Sequence, residues 1–213
     1  MKLASQGSPS QISCVGVTGH RPNRMPPSQW DRIKRDLGAV MAKIESTNPR
    51  HRPVLLSGLA EGADRMAAFV ALGRGWPLHA VLAFHRSRFE EDFPDPYAIG
   101  EFRALLDAST KVEEPRKNAY VGKRPEQAYD AVGQRLLALS EVMIAVWDGH
   151  GSQGKGGTVE VIDQARKRNI PLFWVHAKRA QAPRQILASD ANTALGAIRA
   201  ARSTRQQTKS ESG

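Results

Sequence analysis

Three short segments of this sequence carry residue types suited to holding an anion against a peptide backbone. The most concentrated is Asp148-Gly149-His150-Gly151-Ser152-Gln153-Gly154-Lys155-Gly156-Gly157-Thr158-Val159-Glu160, in which five of the ten residues 149–158 are glycine. Glycine loses more conformational freedom on folding than any other residue, so a hydrophobic core has no use for this many. The usual compensation is a run of unobstructed peptide N–H groups around a phosphate, with Thr158 adding a hydroxyl donor. The second segment, Ser57-Gly58-Leu59-Ala60-Glu61-Gly62-Ala63-Asp64, places glycines around an acidic residue just before a helical pattern. A helix N-terminus offers free N–H groups to an anion. Asp64 either caps or charge-complements that first turn, or else Glu61 or Asp64 accepts a hydrogen bond from a sugar hydroxyl. The third, Thr18-Gly19-His20-Arg21-Pro22, joins a glycine that lets a ligand approach the backbone to a forked guanidinium suited to phosphate or carboxylate.

Two common phosphate signatures are absent. Gly154-Lys155-Gly156-Gly157-Thr158 lacks the Walker A spacing, and no GxGxxG stands in the first turn, which disfavours an ordinary dinucleotide dehydrogenase. His20, His51, His79, His85, His150 and His176 are dispersed without paired spacing. No metal site and no resident cofactor are expected.

The three segments each follow an apolar run. Such runs occur at Ile12 to Val17, Val54 to Leu56, Leu78 to Ala83, Val142 to Trp147 and Ile170 to Val175. They are nearly continuous rather than alternating, as strands are when a parallel sheet is covered on both faces. Helical patterns fill the gaps. Ser28 is a good N-cap for a helix carrying Trp30, Ile33, Leu37, Val40, Met41 and Ile44, and Gly62 precedes a second with Ala63, Met66, Ala67 and Val70. Asp95-Pro96 starts a third, Pro125 a fourth with Tyr129, Val132, Leu136 and Leu139, and Thr158 a fifth that ends before Asn169 and Pro171. Residues 184–201 are a weak candidate for one more. Alternating strands and helices of these lengths predict a three-layer α/β/α, Rossmann-like fold with a mainly parallel sheet. In such a sheet ligands bind outside the carboxyl ends of the strands, where these segments fall.

Length and composition bound the rest. A chain of 213 residues, 40% hydrophobic and 24% charged, is expected to form one globular domain, here 12–201, after a leader 1–11 and before a basic tail 202–213. Cys14 is the sole cysteine, which rules out an intrachain disulfide and fits a cytoplasmic protein. No apolar stretch reaches the roughly 18 residues of a membrane span. The net charge of +10 favours anionic partners. Trp30, Trp76 and Phe102 are either core or an apolar patch for a homodimer.

The ordered trio of segments, together with Ala145-Val146-Trp147-Asp148-Gly149, resembles the SLOG superfamily, which spans DprA, the LOG phosphoribohydrolases and bacterial nucleotide-sensor domains. The resemblance covers roughly residues 12–177 and includes the stretch from Ala83-Phe84 to Asp92-Phe93. It implies a Rossmann-like pocket for a nucleotide or nucleoside phosphate. Gly19, His20 and Arg21 would contact phosphate or base, and Gly58, Gly62 and Asp64 would shape a second wall. Gly156, Gly157 and Thr158 would hold the phosphate, and Glu160 would face the ribose. LOG enzymes use a Gly-Gly-x-Gly-Thr-x-x-Glu turn with an arginine from another helix, for which Arg135 is the candidate. Here Glu160 follows Thr158 by two positions rather than three, a rotation of about 100° on a helix. That departure favours a sensor or binding role over hydrolysis of an N-glycosidic bond. A DprA-like single-stranded DNA binder is a third reading, supported by the charge and opposed by an aromatic content of 6%.

Overall fold

The computed structural model describes residues 13–47, 49–93, 95–120, 124–151 and 157–186. The leader 1–11, the tail 202–213, Gly154 and Gly156 lie outside the described residues.

Among the described residues seven strands form one sheet: β1 (Cys14–Gly19), β2 (Val54–Ser57), β3 (Leu78–Val81), β4 (Lys111–Glu113), β5 (Val142–Trp147), β6 (Leu172–His176) and β7 (Arg184–Ile186). Their spatial order is β4-β3-β2-β1-β5-β6-β7, and every pairing but β6–β7 is parallel. The chain winds outward from β1 in one direction through β4, then returns to lay β5 on the other side of β1. The carboxyl ends of β1 and β5 are therefore the topological switch point, where a crevice opens in folds of this kind.

Among the described residues the α-helices are α1 (Trp30–Ser46), α2 (Ala63–Gly73), α3 (Arg86–Glu90), α4 (Pro96–Asp107), α5 (Pro125–Leu139) and α6 (Thr158–Lys167). The alternation inside β5 shows how two layers are served. Val142, Ile144 and Val146 join the cluster containing Ile33, Leu37, Ala67 and Phe102, while Met143, Ala145 and Trp147 join Val161, Ile162 and Ala165 of α6. Both sets are buried, which is why the run is apolar throughout rather than every second residue. Among the described residues no helix is long and apolar enough to cross a membrane.

Several expectations shift. The helix expected behind a Ser28 cap begins at Trp30, because Pro27–Gln29 form a 3-10 turn with Gln29 at the capping position. Strands β4 and β7 and helix α3 carry no strong signal of their own: β4 is the three-residue Lys111-Val112-Glu113 at the sheet edge. Residues 184–186 pair antiparallel with β6 instead of starting a helix. Trp76 and Phe102 are fully buried and Trp30 packs against the core, with its indole N–H donating to the Met25 carbonyl at 3.0 Å. Trp76 and Phe102 thus belong to the interior, and Trp30 is half-buried beside it.

Candidate functional site

The turn after β1 is clamped from two sides. The His20 N–H donates to the Val146 carbonyl of β5 at 3.0 Å, and the His20 carbonyl accepts the Ala63 N–H at the start of α2 at 3.1 Å. Glycine is required for this closeness. A Cβ on Gly19 would fall 2.4 Å from the Ala63 Cβ, and one on Gly62 would fall 2.7 Å from the His20 carbonyl oxygen, with φ at +99° besides. The first N–H of α2 is thus committed to the protein. From the clamp the chain enters a 3-10 turn, Pro22–Arg24, which places Arg21 and Arg24 at its two ends.

The turn after β2 holds an uncommon conformation. Leu59 is buried with φ at +52°, a left-handed geometry that costs a residue with a side chain on the order of 1–2 kcal/mol. Its N–H donates to Ser57 Oγ at 3.1 Å, and its carbonyl accepts from Arg65 Nε at 3.2 Å. Arg65 is itself buried, donating to the Ala98 carbonyl at 2.6 Å and lying 4.1 Å over the Phe93 ring. This turn presents the N–H groups of Gly58 and Ala60 to the buried carboxyl of Asp64. Burial pushes the Asp64 pKa up to about 7, opposed by those N–H groups and by Arg21 and Arg65. Asp64 therefore stays largely uncharged in weakly acidic solution.

At the end of β5, Asp148 is the opposite case. Its side chain is 1% exposed, yet it meets Arg24 at 3.1 Å and Lys178 at 2.9 Å and accepts the His150 N–H at 3.1 Å. His20 Nε2 lies 3.0 Å from Asp148 Oδ1 and 3.2 Å from the Asp148 backbone nitrogen. Burial works against a charge here, but the contacts of Lys178, His20 and the His150 N–H outweigh it and hold the carboxyl well below the usual range. Burial also depresses the His20 pKa, against the pull of Asp148, so its ring is neutral near pH 7.

Among the described residues nothing covers the start of α6. Gly157 is its N-cap residue, no side chain caps it, and a Cβ on Gly157 would meet nothing within 4 Å. Uncapped N–H groups and the positive end of the helix dipole face the same space. The far wall comes from α5. Tyr129 accepts a hydrogen bond from Arg21 at 2.7 Å and donates one to Asp92 Oδ2 at 3.1 Å, with the Arg21 guanidinium 5.1 Å from its ring centre. These parts surround one cavity of about 450 Å³ at the switch point. Its polar lining includes Thr18, His20, Arg21, Asn23, Arg24, Asp64 and Thr158, and its apolar lining includes Val17, Ala83, Pro125, Val132 and Leu136. The size suits a small organic ligand. Among the described residues no group of three or more His, Cys, Asp or Glu could hold a metal ion.

No protein-family model matches the sequence, and neither does any curated protein. Solved structures do match. DNA processing protein A (DprA) from Streptococcus pneumoniae is 16% identical with a TM-score of 0.53, over 76% of this chain and 50% of that one. The single-stranded-DNA-binding DprA from Helicobacter pylori is 17% identical with a TM-score of 0.52, over 87% and 74%. The chain shares its fold with these two structures. The Moco carrier protein from Chlamydomonas reinhardtii, at 19% identity and 80% coverage of both chains, has a TM-score of 0.46. The chain spans half the length of the Streptococcus protein.

Within this fold, Gly19, His20, Arg21, Gly58, Asp64, Gly157 and Thr158 line that cavity. Gly62 sits behind it against His20, and Asp148 sits beneath as the anchor of His20 and Arg24. Glu61 is half-buried in the turn before α2 and acts on Arg65. Glu160 occupies the first turn of α6, where Gly157, Thr158, Val159 and Val161 supply the lining. Arg135 is elsewhere, forked onto Glu113 of β4 at 2.7 and 2.9 Å. Three participants escape a reading of the sequence. Tyr129 passes for one more apolar residue of the α5 stripe, and nothing in its neighbourhood marks Lys178 out from the other basic residues. Arg24 has a visible signal in its three-residue spacing from Arg21, since both ends of one short turn then face the same way.

Proposed function

We propose that this protein binds the phosphate of a nucleotide or nucleoside derivative at the β1–β5 switch point, acting as a sensor or binding domain. The observation that carries this reading is the sharing of one cavity by Arg21, the uncapped amides of α6 and an apolar wall from α5. Phosphate is favoured at the first two by charge and by N–H donors. The wall of Pro125, Tyr129, Val132 and Leu136 suits a base. Hydrolysis has less support: Glu160 is not among the lining residues, and the Arg135 guanidinium is engaged by Glu113. Single-stranded DNA, which the Helicobacter protein binds, also offers phosphates and bases, and its binding would weaken steeply with salt.

Isothermal titration of the full chain with AMP, ADP and ADP-ribose tests the reading. Saturable binding is expected, weakened about 10- to 100-fold by Arg21→Ala, the loss of one charge-assisted interaction. Absence of binding to every member would refute it. Release of free base from AMP, abolished in Glu160→Gln, would restore the hydrolase.

A further inference from the structure

The Asp148 cluster holds more positive charge than its own structure needs. Arg24 from the β1 turn and Lys178 from the segment after β6 both contact the same oxygen of Asp148, Oδ2, at 3.1 and 2.9 Å. One buried carboxylate needs one cation for balance. A second one leaves a surplus positive charge, and His20, neutral near pH 7, does not alter that count. Neither cation is used up. Arg24 reaches Asp148 through Nη2 alone, which leaves Nη1 and Nε, and the Lys178 ammonium carries three protons. Among the described residues neither has another acceptor. Both are reachable from solvent, at 24% and 42% side-chain exposure, whereas Asp148 is not. The outward face of the cluster is accordingly cationic. It adjoins the cavity, because Arg24 lines the cavity and Lys178 stands beside Arg24 on the shared oxygen.

We infer that the ligand carries two linked phosphates, one held by Arg21 and the start of α6 and the second received by Arg24 and Lys178. The class is a nucleoside diphosphate or a pyrophosphate-bridged nucleotide rather than a monophosphate. This rests on the nucleotide reading and narrows it. Asp148 then acts as the positioning residue: its carboxylate locks two flexible cations side by side before the ligand arrives, which lowers the ordering cost of binding.

The test compares AMP, ADP and ADP-ribose by calorimetry on the full chain, in the wild type, Lys178→Ala and Lys178→Arg. The wild type should bind both diphosphates at least about 10-fold more tightly than AMP, the ratio expected of one added charge-assisted contact. Lys178→Ala should bring that ratio close to one, and Lys178→Arg should keep most of it. A preference for ADP-ribose over ADP would assign the bridged member of the class. Equal binding of AMP and ADP by the wild type, or a preference that survives Lys178→Ala, overturns the inference while leaving the nucleotide reading standing. No binding of any of the three overturns both.

Discussion

Asp64 and Asp148 are carboxyls of the same kind set in opposite states by what surrounds them. For Asp64, burial dominates and the folded pKa lies at about 7, above the model-peptide range near 3.9. The folded state then binds the proton more tightly than the unfolded one, so stability falls as pH rises through that window, by about 1.4 kcal/mol per pH unit for a single group, and levels off above it. Asp64→Asn keeps the shape without the charge and should flatten that slope, making the variant more stable than wild type at pH 8. Urea unfolding at pH 5 and pH 8 measures this, and parallel pH profiles for the two proteins would contradict it. For Asp148 the folded pKa is depressed, so its contribution is present above the ordinary carboxylate range and lost as pH falls below it. Asp148→Asn leaves Arg24 and Lys178 facing each other without a counterion. It should cost about 3 kcal/mol at pH 7, as removal of one partner from a buried pair does, and an unchanged unfolding midpoint would show the cluster to be idle.

The elements explain why glycines stand where they do. In the first two turns Gly19 and Gly62 serve the approach of α2 to β1. Gly62→Ala meets both a positive φ and a carbonyl oxygen at 2.7 Å, so it should lose more than 1 kcal/mol of stability and loosen the His20 clamp as well. Thermal melts should show a lower Tm for it than for Gly73→Ala, whose added Cβ meets nothing within 4 Å. The same contrast marks what was legible in the sequence. Runs of Val, Ile and Leu announce β1, β2, β3, β5 and β6 because both sheet faces are covered, and the three polar turns follow from those strand ends. Edge strands β4 and β7 bury too little to leave such a pattern. The contributions of Tyr129 and Lys178 depend on which helix and which strand end lie across the crevice, and the sheet order that decides this is not written in any local spacing. Arg135 shows the reverse case: plausible by helix position, it is drawn to Glu113 by a strand that the sequence hides.

For the whole molecule, the reversal of strand order between β1 and β5 gathers segments far apart in the chain around one opening. The net charge of +10 gives the surface a general attraction for anions, but the cavity divides its own charge. Arg21, Arg24 and the amides of α6 make one side positive, while burial keeps Asp64 largely uncharged below about pH 7 and so spares an anion its repulsion. The central claim is that these segments act on one ligand together. Amide chemical shifts of isotope-labelled protein, followed during titration with ADP at pH 6.5, test it most directly. The account predicts that the amides of Gly19–Arg21, Gly58–Ala60 and Gly157–Val159 all move with a single shared dissociation constant. Shifts confined to one of the three segments, or fitted by separate constants, would contradict it.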